Sequence, residues 1–420
     1  MAEQSPRAGR PIRVGIIGAG AMGKGLCYQC GITPGIQCVA LADLHLSRAT
    51  ECAEWLKRDY RVVQTAAAAE AVAGQGRLAV CADGDLVARC GSVDVVIEAT
   101  SAIGAGGRFA ESALMRGTHV VMMNAEADLI FGPYLLDLAR RSGATYTSCD
   151  GDQHGVIKHL VDDLRLWGFE LVMAGNIKGF LDRYSDPEKI VPEADKRRLD
   201  HRMAAAYTDG TKLNIEMALV ANALGMTTRV PGMYGPAAAR VHDVFDLFDF
   251  ERLWADRQPF VDYILGAEPG GGVFAIGYCE DDYQRFMLSY YKMGLGPFYL
   301  FYRPYHLCHV EAMACVRDAA EGRSLLQPDA GLRTNVYAYA KRDLRRGETL
   351  DGIGGFTCYG LIENVPGATG LPICLADQAV LRRDVPKDGR IAWSDVTLDP
   401  AREDVRLYAR ALECGRVCVP

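Results

Sequence analysis

Val14-Gly15-Ile16-Ile17-Gly18-Ala19-Gly20-Ala21-Met22-Gly23 is a short apolar run that passes directly into Gly18-x-Gly20-x-x-Gly23. Residues 24–29 can continue as a helix, and a second apolar run, 37–42, ends on Asp43. The order is strand, glycine turn, helix, strand, acid. Each part has a physical reason to bind a dinucleotide. Gly18 permits the tight turn off the strand, Gly20 lets a pyrophosphate approach the backbone, and Gly23 allows helix and strand to pack closely. The helix start, with Ala21 and Met22 in its first turn, offers backbone N–H groups and a positive dipole end to phosphates. Asp43 lies twenty residues past Gly23, where an acid can accept from a ribose diol. A βα turn without a ligand would share the glycines. It would not need the acid at that distance.

Working outward, strand and helix patterns alternate from Arg13 to Asp150, which predicts a doubly wound parallel sheet of the Rossmann type. Residues 93–100 read as a buried strand ending at Thr100, before the glycine-rich 104–107. Residues 119–123 read as another, ending at Asn124 and Glu126. Strand ends of this kind line the cofactor crevice of an open α/β sheet. Asp150-Gly151-Asp152-Gln153-His154-Gly155 marks the exit. Residues 170–174 then read as a strand closing in Gly175-Asn176-Ile177-Lys178-Gly179, and 182–202 as a charged, proline-bearing excursion. Tyr207-Thr208-Asp209-Gly210-Thr211-Lys212 leads into a helix. The last ninety residues are rich in short strands and turns. There Lys341-Arg342-Asp343-Leu344 is echoed by Arg382-Arg383-Asp384-Val385, as in a small β module with internal pseudo-symmetry. The expected division is 1–155 for the nucleotide domain, 156–332 for an α+β substrate and oligomerisation domain, whose last helix can return to the first, and 333–420 for the β module.

The chain has 420 residues, a net charge of −7 and no evident basic face, which argues against nucleic acid as a partner. Residues 1–10 are polar and lack the apolar stretch of a secretory signal. No apolar run approaches the length of a membrane span. Fourteen cysteines are scattered and many lie in apolar runs, as expected of reduced, buried thiols in a cytoplasmic protein. Cys27 and Cys30 fall on the first helix and read as packing residues. His306 and His309 have no recognisable third ligand nearby, so no metal site is expected.

A hydride-transfer enzyme must supply a proton donor to the carbonyl oxygen. Lys212, between Gly210 and a helix, is the first candidate, with Asp209 to orient it or a bound water; a solvated surface lysine is the alternative. Lys178, between glycines, is the second. Glu126 either faces the nicotinamide or caps the following helix. Arg303 and His306 lie among aromatics, where a guanidinium either holds a carboxylate or phosphate or stacks on Tyr302 or Tyr305.

The succession GxGxMG, VVIEAT, MMNAEAD, AGNIKG and DGTKLNIEMALVANALGM resembles the homoserine dehydrogenase-like oxidoreductases. With YRPYHL and AKRDLRRGETLDGIGGFTCYGLIENV it is similar to a bacterial branch that carries a C-terminal SAF (antifreeze-like, β-clip) domain, the DXP reductoisomerase-like branch. The likeness runs from about Ile12 to Val396. It implies an NAD(P) site at Gly18 to Gly23, Lys212 as proton donor, and a substrate cleft between the nucleotide and middle domains with Lys178, Arg240, Arg303 and His306 as ligands. Gly175-Asn176-Ile177-Lys178-Gly179 replaces the asparagine-glycine-threonine turn of homoserine dehydrogenases. A phosphate-bearing or different carbonyl substrate fits the cations at least as well as homoserine. The resemblance favours NADP, which Arg48, with Lys24 and Arg108 elsewhere, can accommodate. Asp43 favours NAD by repelling a 2′-phosphate. The expectation is a cytoplasmic, homo-oligomeric (dimeric or tetrameric) NAD(P)-dependent oxidoreductase acting on a small polar carbonyl or alcohol. A reductoisomerase is the alternative within enzymes, and a non-catalytic NAD(P)-binding sensor or scaffold is the alternative outside them.

Overall fold

A computed structural model of the chain describes residues 10–197, 199–365 and 369–414, so the polar stretch before Arg10 lies outside the described residues. In chain order the elements are β1 (Ile12–Ile17), α1 (Ala21–Ile32), β2 (Ile36–Ala42), α2 (Leu46–Trp55), β3 (Tyr60–Val62), α3 (Ala66–Gly74), β4 (Leu78–Cys81), α4 (Gly84–Ala88), β5 (Val95–Glu98), α5 (Ile103–Leu114), β6 (His119–Met122), α6 (Ala125–Ser142) and β7 (Tyr146–Ser148). There follow α7 (Gln153–Leu166), β8 (Glu170–Lys178), α8 (Val191–Arg197), α9 (His201–Thr208), α10 (Thr211–Leu224), α11 (Val244–Leu247), α12 (Phe250–Leu253), β9 (Phe260–Leu265), β10 (Val273–Tyr278), α13 (Asp282–Tyr290) and β11 (Phe298–Arg303). The chain ends with α14 (Cys308–Ala320), β12 (Thr334–Ala340), β13 (Cys358–Asn364), β14 (Val380–Leu381), β15 (Val396–Thr397) and α15 (Glu403–Cys414). No described helix is long and apolar enough to cross a membrane.

The chain forms two units. The first takes residues up to Asp152 with Leu307–Gln327 and α15; the second takes Gln153–His306 and Pro328–Pro400. In the first, β1, β2, β4 and β5 are apolar runs buried almost throughout, as strands covered on both faces must be. They lie in a seven-stranded sheet, β3-β4-β2-β1-β5-β6-β7, with all pairs parallel. The strand order reverses at β1 and β5, so a crevice opens at their carboxyl ends, where Gly18 and Thr100 stand. This is the expected doubly wound α/β sheet.

The helices of this unit bury one stripe each. α1 buries Gly23, Leu26, Cys27 and Cys30, so the two cysteines are packing residues, and burial holds the Cys30 thiol far above its usual range. A Cβ at Gly25 would lie 2.7 Å from the His309 ring, which is why α14 can lie close on α1. α15 falls in the stretch read as strands and turns, yet Leu407, Tyr408 and Ala411 make one apolar stripe buried against α5 and α6. Arg410 with Glu111 at 2.6 Å, and Arg108 with Glu403 at 3.1 Å, pair at its rim.

The second unit holds a four-stranded sheet, β11-β10-β8-β9, with β8 and β9 parallel and the other pairs antiparallel. β8 is longer than the sequence suggests. The expected glycine turn at 175–179 is mostly strand, because the Phe274 ring of β10 lies across Gly175, where a Cβ would sit 2.2 Å from it. Gly175 is therefore a notch for an aromatic ring and not a strand breaker. The charged excursion at 182–202 contains α8 and the start of α9. α10 is buried from Thr211 through Asn222.

β12 and β13 pair in antiparallel fashion, and the echoed motifs after them meet each other. Leu344 and Val385 exchange both backbone hydrogen bonds, at 2.8 and 3.0 Å. The Asp343 carboxylate accepts from the Lys387 N–H at 2.8 Å and the Asp384 carboxylate accepts from the Arg346 N–H at 2.8 Å. Equivalent residues of the two copies make equivalent bonds, so the repeat seen in sequence is a pseudo-two-fold in structure.

Candidate functional site

One group of candidate residues is built on the glycine turn. Gly18 has φ +102, and a Cβ there would lie 2.7 Å from the Ala99 carbonyl. A Cβ at Gly23 would meet the Gly18 carbonyl oxygen, where strand and helix touch. Gly20 is the opposite case: it is exposed and a Cβ would meet nothing within 4 Å. The three glycines thus divide into a turn, an open approach and a close packing. α1 starts at Gly20 with no side-chain cap, so the orphan N–H groups of its first turn face that open approach beside exposed Ala21 and Met22. This geometry fits a pyrophosphate.

Asp43 follows β2 directly. One of its oxygens accepts from the Ala19 N–H at 2.8 Å and the other from the His45 N–H at 2.9 Å. The acid pins the turn, and each oxygen keeps a second lone pair for a ribose hydroxyl. Arg48 is exposed in the first turn of α2, three residues past the His45 cap.

At the carboxyl end of β5 the sequence analysis had not singled out Glu98. It is wholly buried; one oxygen accepts from the Thr100 N–H at 3.0 Å and the other has no hydrogen-bond partner among the described residues. Burial, reinforced by the charge of Glu126 and opposed by hydrogen bonding from Thr100 and Asn124, pushes its carboxyl up to about 7. The available signal was an acid closing an otherwise apolar strand. Asn124 caps α6 by accepting from the Ala127 N–H at 3.1 Å, so the cap belongs to Asn124. Glu126 is buried in the first turn of that helix. Deeper in, Asp128 receives the hydroxyls of Tyr146, at 2.5 Å, and Ser148.

A second group of candidate residues lies in the other unit. Gly210, at φ +85, turns the chain sharply into α10, and a Cβ there would lie 2.9 Å from Leu181. Asp209, Lys212 and Glu216 follow at helical spacing and share one side of that start. Lys212 is buried, with its ammonium over the Tyr207 ring at 5.7 Å from the centroid. Lys178, at the end of β8, is half-buried. Burial lowers its amine below the ordinary lysine value, while the charges of Glu216 and Asp209 pull the other way. Asn176, two residues before it and hence on the same face of β8, is fully buried, and neither amide atom has a hydrogen-bond partner among the described residues.

Asp209 has partners of its own. One carboxylate oxygen accepts from the Thr211 N–H at 2.8 Å and the other lies 2.9 Å from the Lys341 ammonium. The sequence analysis had placed Lys341 only in the repeat; a lysine closing the apolar run of β12 was the missed signal. Burial still pushes the Asp209 carboxyl up, against the pull of Lys341.

The remaining candidates stand apart from this cluster or at its margin. Arg240 is exposed and faces Asp243 at 3.7 Å. Arg303 stacks over the Tyr305 ring at 4.7 Å. His306 places Nδ1 2.6 Å from the Gly271 carbonyl, to which that nitrogen donates. Arg183, five residues past Lys178 and not singled out in sequence, lies over the Tyr359 ring at 5.3 Å and favours the ionised form of Tyr263. Stacking occupies its face and leaves the in-plane donors for an anion.

Residues 151–312 match the family described as oxidoreductase DRL, catalytic domain. The 1-deoxy-D-xylulose 5-phosphate reductoisomerase of Ectopseudomonas mendocina (strain ymp) is 30% identical over 175 residues, 39% of this chain and 43% of that one. The matched stretch thus spans less than half the length of the curated relative. Among solved structures, the Zymomonas mobilis 1-deoxy-D-xylulose 5-phosphate reductoisomerase in complex with NADPH aligns with a TM-score of 0.35 at 18% identity, over 50% of this chain and 57% of that one. The Lactobacillus casei myo-inositol dehydrogenase, in complex with NAD(H) and myo-inositol, aligns with a TM-score of 0.31 at 17% identity, over 45% and 53%.

Proposed function

We propose that the chain is an NAD(P)-dependent oxidoreductase that reduces a small polar, phosphorylated carbonyl compound. The observation that carries this reading is the glycine turn, in which Gly20 alone faces open space at an uncapped helix start. Either coenzyme fits: Asp43 suits a free ribose diol, and exposed Arg48 suits a 2′-phosphate. When bound, the coenzyme supplies the hydride. The chain's own residues do the rest. The first turn of α1 holds the pyrophosphate, Lys178 delivers a proton to the carbonyl oxygen, and Lys212 adds positive charge for the developing alkoxide. Glu216 and Asp209 keep Lys178 protonated despite its burial. Arg183 and Arg303 are the cations for the substrate phosphate, with His306 as an acceptor for a hydroxyl.

Within this reading, a carbon shift before reduction is favoured by the match of 151–312 to the DRL catalytic domain and by the partial match to a 1-deoxy-D-xylulose 5-phosphate reductoisomerase. That phosphate is therefore the first substrate to assay, by loss of NADPH absorbance, followed by a panel of phosphorylated ketoses. Gly20→Val is expected to abolish coenzyme binding. Lys178→Met is expected to bind coenzyme normally and to lose roughly 10²–10⁴-fold in turnover. A chain that binds NADPH tightly yet turns over no carbonyl is a sensor or scaffold.

A further inference from the structure

α10 carries polar groups on two sides, both buried. One side begins with Asp209, Lys212 and Glu216. The other carries Thr211, Asn214, Ala218 and Asn222, and it is bonded throughout to β12 and β13. The Thr211 hydroxyl accepts from the Gly360 N–H at 2.9 Å, and the Asn214 amide oxygen accepts from the Ile362 N–H at 2.9 Å. The Asn222 amide oxygen accepts from the Thr334 N–H at 2.8 Å, and its amide nitrogen donates to the Thr334 carbonyl at 3.1 Å. Lys341, directly after β12, then reaches past the helix start. Its ammonium lies 2.9 Å from Asp209 and donates to the carbonyls of Ser185, at 2.6 Å, and Gly355, at 2.8 Å. Two hydrogen bonds and one ion pair thus hold the ammonium inside the protein. An exposed tail merely tethered to the unit would need none of these bonds.

We propose that Lys341 is a positioning residue: with the β12–β13 pair it fixes the start of α10 and compensates Asp209, so that Asp209 does not close onto Lys178 and Lys178 keeps a proton it can give away. This rests on the reading of Lys178 as proton donor, but the arrangement itself can be tested without substrate. The charged groups acting on Lys178 are Glu216 from α10 and Asp209 from the turn before it. Those around Asp209 are Lys341 and, behind it, the Asp351 carboxyl and Cys358 thiol. Without Lys341, the cations left near the buried Asp209 carboxylate are Lys212, on its own side of α10, and Lys178, on which its charge acts.

The test is a pH titration of the full chain labelled with ¹³C at lysine Cε. The Lys178 resonance is identified by its loss in Lys178→Arg. In Lys341→Met the Lys178 midpoint is expected to rise by at least half a pH unit, and in Lys341→Arg to return toward the original value. An unmoved midpoint in a Lys341→Met chain that keeps its near-UV circular dichroism overturns the proposal. If Lys341→Met does not fold, the double variant Lys341→Met with Asp209→Asn, which removes both charges, is titrated instead. The expectation is then a midpoint below that of the original chain, and an unchanged midpoint overturns the proposal. Turnover separates the two readings. A shifted midpoint with full activity in Lys178→Met would retire Lys178 as donor and leave the positioning role standing.

Discussion

At the scale of single residues, burial decides which charged groups can do chemistry. Glu98 is the clearest case. Its ordinary value is near 4.5 and the folded chain raises it to about 7, so between those values the folded form holds a proton that the unfolded form has lost. Stability from this group is therefore full below about pH 4.5 and declines as the pH rises to 7, by on the order of 3 kcal/mol. Glu98→Gln should flatten that slope. The check is denaturant unfolding of both chains from pH 5 to 8, and parallel slopes would mean that Glu98 titrates normally. Lys178 and Lys212 give a second residue-scale prediction. In the reduction direction, turnover should fall as pH rises through the Lys178 value, in a range below that of an ordinary lysine. Lys212→Ala should weaken turnover without moving that limb, whereas Lys178→Arg should carry it upward; pH profiles of kcat for the two variants read the difference. Sequence reasoning singled out Gly18, Gly20, Gly23, Asp43 and both lysines because each stands beside a turn glycine or at a fixed offset from one. It missed Glu98, Lys341 and Arg183 because their surroundings come from residues far away in the chain, and an acid or a lysine in sequence carries no sign of what will desolvate it.

At the scale of elements, glycine is where local and tertiary causes part company. In the first turn the glycines act locally. Gly18 needs a positive φ and Gly23 needs contact with backbone, so the motif alone announced a strand, a turn and a helix. Gly175 looks the same in sequence and acts through a partner strand. Its hydrogen is required because Phe274 lies across it, so β8 continues through a segment that reads as a turn. Gly175→Ala should leave the strand in place and push the Phe274 ring off it, at a cost of about 1–3 kcal/mol. The companion change Phe274→Leu should recover part of that loss, read as the denaturation midpoint of the single and double variants. A purely conformational role for Gly175 would leave the double variant as weak as the single one. In the parallel sheet the four-residue β4 was passed over, and the other buried strands were legible from their apolar runs. β3 and β9 were not: β3 is three residues long with two of them exposed, and β9 carries Asp262 within its run, held there by the N–H groups of Tyr234, Gly235 and Tyr263.

At the scale of the whole molecule, the chain passes from one unit to the other and back. α14 rejoins the first unit after β11, β12 begins in the second, and α15 rejoins the first again. The sequence analysis allowed for the return of α14 but not for that of α15, since a helix that packs on an earlier part of the chain has the same amphipathic stripe as any other. Their consequence is that a cut between sequence segments is not a cut between folding units. A fragment ending at residue 332 would lose β12 and β13, and with them the partners of Thr211, Asn214 and Asn222 on buried α10. Each orphaned polar group costs about 1–3 kcal/mol, and loss of Lys341 leaves the Asp209 charge buried without its partner, for about 3–5 kcal/mol more. Against a whole-protein stability of about 5–15 kcal/mol this is enough to unfold the second unit. The same fragment strips α15 from α5 and α6, exposing the surface that Leu407, Tyr408 and Ala411 cover. The 1–332 fragment is therefore expected to keep far-UV helix signal but to lose its near-UV signal and bind an apolar dye. A fragment that instead melts cooperatively, near the temperature of the full chain, would show that the last ninety residues are an appendage, and that α10 finds its order without them.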